Sequence, residues 1–439
     1  MRRWASPRHT RLAAESSQVL LGQALAMVGS LMLLRALSQQ LSPAAYGVLA
    51  LGLTGSLLVS QAISGGTTAA IGRYFSAARE AQALLPYGYA SLQLLLRDQR
   101  RIVVLSLGAV LLLVLMGQAP WVPLAVAAAL ASMSASWLMA LVAVLTSARW
   151  RLAASALSAL DPWLKLVLLT LCWRWWQVTP AQILLLYGFS SALLAVAAAG
   201  CCSSQQGLSL SAIRSPQPQA DPAWRSLLGD YAQPFTRFGL ATWLQQASDR
   251  WALQAWAGAG AVGQYAVLYQ LGYSPMGVLS NVLNTLVAPI LYGRAGDASS
   301  QQRNQDVNRL VRRLTLLGLG FSVVLVLLSA LLHGWLFDLL LAPAYQPLSI
   351  WLPWMVLAGA LVSVGQLIAL QFMSDNRTAE LGRIKIATAL LGVLLNGLGA
   401  AGFGLAGVIV AQNLFAVLYV LWMIRLGWQT TDPRGTTGA

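Results

Sequence analysis

The chain has 439 residues, of which 57% are hydrophobic and only 9% charged, and its 28 Lys and Arg against 13 Asp and Glu give a net charge of +15. So few charges argue against a soluble globular protein, and the placement of the basic residues argues against nucleic-acid binding. Three cysteines without a CxxC pair and two histidines, His9 and His333, offer neither a disulfide framework nor a metal site.

About 20 apolar residues span a bilayer core, and the chain offers twelve segments of roughly that length. They run, in order, over 18–37, 47–71, 102–116, 121–145, 157–176, 182–200, 232–256, 265–291, 314–337, 349–373, 384–401 and 404–423. The first follows a basic stretch and contains Ala24-Leu25-Ala26, as a cleaved signal peptide would. Its apolar run continues to Leu34, so it is read as an uncleaved first span. When the connections are numbered alternately, 24 of the 28 Lys and Arg fall on one side. The exceptions, Arg35, Lys165, Arg174 and Arg250, lie within predicted helices or at their outer ends. The positive-inside rule then places both termini in the cytoplasm, which requires an even number of spans. The expected outer loops are short, the longest over 334–348, and leave no room for a soluble active site.

Between the sixth and seventh segments lies SSQQGLSLSAIRSPQPQADP, residues 203–222, with the Ser, Gln and Pro content of a flexible cytoplasmic linker. It divides the chain into a lobe of 1–202 and a lobe of 223–439, six spans each. The halves share a pattern. A turn leads to Tyr46, a long span and Gly72-Arg73-Tyr74 in the first; a turn leads to Tyr265, a long span and Tyr292-Gly293-Arg294 in the second. A parallel repeat about an axis along the membrane normal has this form. The expected fold class is therefore all-α and polytopic, with about twelve transmembrane helices in two pseudo-symmetric six-helix lobes around a central cavity.

Three stretches carry a resemblance: Arg35-Ala-Leu-Ser-Gln-Gln-Leu-Ser-Pro43-Ala-Ala-Tyr46-Gly47 after the first helix, Ser248-Asp249-Arg250 followed by Gly260-Ala-Val-Gly263-Gln-Tyr265, and NGLGAAGFGLAGVIVAQ from Asn396 to Gln412. In this order they resemble the polysaccharide and O-antigen flippase family of the multidrug/oligosaccharidyl-lipid/polysaccharide exporter superfamily. The chain departs from the family pattern at Ala44-Ala45, where an acidic pair is usual, and at 400–403, where Pro-x-Tyr is usual. It also lacks the two extra spans usual in peptidoglycan-precursor flippases. The resemblance implies a bacterial inner-membrane transporter, not an enzyme, that needs no cofactor. Its implied cargo is an undecaprenyl-pyrophosphate-linked oligosaccharide, moved to the periplasmic leaflet by alternating access, with polymerase or export partners left open. The rival readings are a cation-coupled multidrug exporter of the same superfamily and a membrane glycosyltransferase or polymerase.

Ionisable residues at membrane depth are costly, about 2.5–3.5 kcal/mol each on insertion scales, and so point to candidate sites. Asp249 and Arg250 lie well inside the seventh segment. Adjacent helical residues point about 100° apart, so each is expected to need another partner or a water-filled cavity. Eleven residues before Tyr46 is Arg35, and eleven before Tyr265 is Gln254, one turn from Arg250. Arg35 and Arg250 are thus expected to face one cavity from opposite halves, where guanidinium groups suit a pyrophosphate; for Arg35 the alternative is snorkelling to the outer interface. Asp161 and Lys165, four apart, suit an intrahelical ion pair or, secondarily, a site. Arg174, set among Trp173, Trp175 and Trp176, reads as an interfacial anchor. Asn281 and Asn284, with Gln366, Gln371, Asn396 and Gln412, offer amides for sugar hydroxyls or for interhelical bonds.

The charge division makes a direct prediction. In a background lacking Cys172, Cys201 and Cys202, Ser42→Cys should react with an impermeant thiol reagent added outside cells with a permeabilised outer membrane, and Ser215→Cys should not. The reverse pattern would overturn the topology.

Overall fold

The computed structural model describes residues 7–206, 222–295, 301–374 and 378–429, and these are helical apart from short turns. Most of the linker, 207–221, lies outside the described residues. The helices are α1 Pro7–Gln40, α2 Pro43–Val59, α3 Gly65–Glu80, α4 Leu84–Leu115, α5 Val122–Ser147, α6 Arg151–Trp173, α7 Pro180–Gln206, α8 Pro222–Leu268, α9 Ser274–Ala295, α10 Gln301–Leu340, α11 Leu352–Ser374 and α12 Thr378–Gln429. Five-residue π-helical segments join α2 to α3 at Ser60–Ser64 and α8 to α9 at Tyr269–Tyr273. The expected outer loop at 334–348 is mostly helical: α10 runs to Leu340, and a 3-10 segment, Pro343–Trp351, leads into α11.

The protein is an all-helical, polytopic membrane protein. Among the described residues, eight helical runs are long and apolar enough to cross a bilayer. The apolar part of α4 falls short because the helix ends at Leu115 and Asp98, Arg100 and Arg101 precede Ile102. Val104, Leu107, Leu111 and Leu115 along it are nonetheless exposed, as residues facing lipid would be. Two long runs are broken by glycine. Gly258 in α8 (φ 80°, ψ 174°) and Gly404 in α12 (φ 57°, ψ −130°) hold a backbone that L side chains rarely adopt. These breaks fall at the sequence boundaries expected near 256–265 and 401–404, so the helical segments follow the expected order.

The chain forms two compact units, Met1–Ala36 with Val48–Trp243, and Leu37–Gly47 with Leu244–Ala439. The division differs from the expected lobes of 1–202 and 223–439. Helix α8 runs from Pro222, at the end of the linker, to its break at Gly258, and its first half carries Leu228 and Ala232 into the first unit's core beside Phe75, Tyr87 and Leu94. Tyr231 meets Tyr74 edge-on at 5.5 Å, and Trp224 meets Tyr87 at 5.8 Å. The Trp243 indole donates to the Thr54 carbonyl at 2.7 Å and closes this packing.

In the second unit the start of α2 lies against the turn of α8. A Cβ on Gly47 would collide with the Ala259 carbonyl, and one on Gly263 with the Pro43 carbonyl, so two backbones touch where two of the sequence landmarks meet. A side chain at either position would separate them. The α12 break folds back equally tightly, with Gly399 and Gly407 backbone to backbone. Farther along, the Gln371 amide donates to Asn308 Oδ1 at 2.7 Å and to the Gly427 carbonyl at 2.9 Å, joining α11, α10 and α12.

Gly263→Ala should therefore lower the melting temperature in detergent by the equivalent of about 1–3 kcal/mol, the usual cost of overpacking. Gly260→Ala, where an added Cβ meets nothing within 4 Å, should be neutral or slightly stabilising. Equal effects of the two would show that the backbone contact carries no stability.

Candidate functional site

A buried polar cluster lies inside the second unit, around Asp249 and Arg250 of α8. The Asp249 side chain is 1% exposed. Its Oδ2 accepts from the Tyr265 hydroxyl at 2.6 Å and from the Gln412 amide at 3.1 Å, and the same amide reaches the Tyr265 oxygen at 3.1 Å. Its Oδ1 accepts from the Arg250 backbone N–H at 2.7 Å and from Arg250 Nη1 at 3.3 Å. The carboxylate is thus ringed by donors from α8, from both sides of the Gly258 break, and from α12. Beside it, Asn396 donates to the Ser248 hydroxyl at 3.0 Å.

Arg250 is fixed from several directions. Nη1 also donates to the Gln246 carbonyl at 2.9 Å, and the guanidinium carbon lies 4.3 Å from the Tyr269 ring centroid and 5.8 Å from that of Tyr265. Tyr273 stacks on Tyr269 at 4.6 Å with an interplanar angle of 18°. A cation over an aromatic face at this range is stabilised by about 0.5–2 kcal/mol. Asp249 and Arg250, adjacent in the chain, pair with each other and each also has further partners. Their side chains bend together to 3.3 Å, and the further partners foreseen for Asp249 prove to be Tyr265 and Gln412.

Arg35 lies half-buried on α1, in the first unit, and is engaged in a contact. Asp161 and Lys165 form an ion pair within α6, the Lys165 ammonium 5.0 Å from the Tyr187 ring centroid. Arg174 sits at the exposed end of α6, 5.7 Å from the Trp175 ring centroid. On α9, Asn281 is exposed, and Asn284 has a buried Oδ1 with no hydrogen-bond partner among the described residues. No group of three His, Cys, Asp or Glu suited to a metal is present among the described residues.

Sequence reading missed two features. Tyr265, Tyr269 and Tyr273 follow the i, i+4, i+8 spacing of one helix face, a signal obscured by the interfacial role usual for tyrosine. Asp98 of α4 is wholly buried, accepts from the Thr67 hydroxyl, and lies 3.8 Å from Arg97 and 3.7 Å from Arg101. In the sequence those arginines read as topology signals alone.

No family model matches the chain, and no curated protein matches it. Solved structures do. The lipid II flippase MurJ in an inward closed conformation aligns over 94% of this chain and 87% of its own, with a TM-score of 0.65 at 11% identity. An inward-facing multidrug resistance MATE family transporter of the MOP superfamily aligns over 93% and 96%, at 0.62 and 15%. The MATE transporter VcmN of Vibrio cholerae aligns over 96% and 98%, at 0.60 and 16%. The chain has the fold of these transporters.

Because Tyr265 and Gln412 share one carboxylate oxygen and bond each other, their contributions should not add. In a double-mutant cycle of Tyr265→Phe and Gln412→Leu, thermal unfolding in detergent should show a coupling of about 0.5–3 kcal/mol. Additive losses would mean that the three groups do not act as one network.

Proposed function

We propose that the protein is a transporter that moves an anionic, lipid-linked oligosaccharide across the bacterial inner membrane, with Arg250 as a contact for the phosphate of the cargo. One observation carries this reading. At the site the Asp249 side chain is sealed, 1% exposed, whereas the Arg250 side chain beside it is 12% exposed. An incoming ligand meets positive charge backed by tyrosine rings, which suits phosphate and sugar better than an organic cation. The shared fold with a lipid II flippase supports a lipid-linked cargo. The shared fold with MATE transporters keeps drug export as the second reading, in which Asp249 would be the exchanging group. An undecaprenyl-pyrophosphate carrier, cytoplasmic termini and a role for Arg35 in cargo binding belong to the same proposal.

The test uses proteoliposomes and a fluorescent lipid-linked oligosaccharide. Arg250→Ala should lower transport more than about tenfold at normal abundance, as expected when one partner of a buried charge pair is removed. Arg250→Lys should restore part of it, and Arg174→Gln should leave it unchanged. Normal transport by Arg250→Ala would refute the assignment. Failure to move the lipid together with transport of cationic dyes would favour the exporter.

A further inference from the structure

Helix α10 enters its apolar stretch at Leu314 behind a strongly basic approach. There Arg303, Arg309 and Arg313, with Asp306 and Leu310, line a recess of about 450 Å³. At 100° per residue these five positions fall within an arc of about 120°. The opposite face, with Val307, Val311 and Thr315, is buried, so the arginines take no part in the core. Arg309 pairs with Asp306 at 3.4 Å, whereas Arg303 and Arg313 have no ion-pair partner among the described residues. The corresponding approach in the first unit is balanced differently, since Arg97 and Arg101 of α4 both lean on buried Asp98.

The arc that carries the recess continues along α10 as Leu317, Phe321, Val324 and Leu328, all exposed. The helix therefore presents a positively charged recess followed directly by a lipid-facing apolar stripe. A soluble phosphate compound would use only the first of these; a phospholipid uses both. We propose that this face of α10 is a binding site for an acidic phospholipid, its phosphate held by Arg303, Arg309 and Arg313 and an acyl chain lying along Leu317 and Phe321. Guanidinium groups match phosphate geometry bidentately, and the surplus positive charge favours a headgroup with net negative charge over a zwitterionic one. The site is independent of Arg250 and of the cargo.

The experiment is native mass spectrometry of the full-length protein after exposure to an equimolar mixture of phosphatidylglycerol and phosphatidylcholine. The wild type should retain phosphatidylglycerol in preference. Each of Arg303→Gln, Arg309→Gln and Arg313→Gln should reduce that preference about fivefold, the equivalent of about 1 kcal/mol per charge. Because the three side chains are exposed, the melting temperature should not change, and a paired Arg97→Gln/Arg101→Gln variant should keep the preference. Equal retention of the two lipids, or a preference indifferent to the three substitutions, would overturn the site. Complete displacement of the lipid by inorganic phosphate would show a free-phosphate site and overturn the lipid assignment.

Discussion

A carboxylate taken out of water must find its hydrogen bonds inside the protein, and at Asp249 that requirement organises the second unit. The cost of an ion at membrane depth is several kcal/mol before compensation. The compensation comes from Tyr265 beyond the Gly258 break, from Gln412 beyond the Gly404 break, and from the neighbouring Arg250. Tyr265 reaches the carboxylate across the Gly258 break and Gln412 from beyond the Gly404 break, whereas Arg250 is its chain neighbour. Two backbone irregularities and one buried charge are therefore linked, and a side chain at either break would strain the geometry on which the Tyr265 and Gln412 hydrogen bonds depend.

The close approaches at Gly47, Gly263, Gly399 and Gly407 serve the same end. Helix association in a bilayer gains little from the hydrophobic effect, because lipid is as apolar as the helices; packing then rests on small residues and on polar contacts between helices. The second unit uses both, with glycines at the backbone contacts and amides such as Gln371, Asn396 and Gln412 at the crossings.

Much of this was legible in the sequence. Apolar length and charge placement marked the helices, because a spanning segment needs about 20 apolar residues whatever its partners are. The Ser248-Asp249-Arg250 triplet stood out because charge within a span is rare. The unit boundary at Trp243 was not legible: Ser/Gln/Pro composition marks where a chain is flexible, but which side a continuous helix packs against is decided by Trp224, Leu228, Tyr231 and Trp243 meeting partners far away in sequence. The burial of Asp98 was hidden for a related reason. An Asp between two arginines looks solvated, and only the fold brings Thr67 to it. The π segment at Tyr269–Tyr273 has no composition signal at all, although it sets where the tyrosine rings stand beneath Arg250.

The arrangement around Arg250 bears on how an anion would be bound and then released. A lone buried guanidinium would hold a phosphate tightly, and a transporter that binds too tightly does not turn over. Here Arg250 already has a carboxylate at 3.3 Å, a carbonyl at 2.9 Å and an aromatic face at 4.3 Å, so an arriving anion gains only the difference between its own contacts and those it displaces or shares. Asp249 need not move for this exchange, because Tyr265 and Gln412 keep its other oxygen satisfied. Under the proposed function, the carboxylate held in place in this way would keep the site close to neutral when empty and weaken the grip on a bound anion, which is the balance that reversible loading requires.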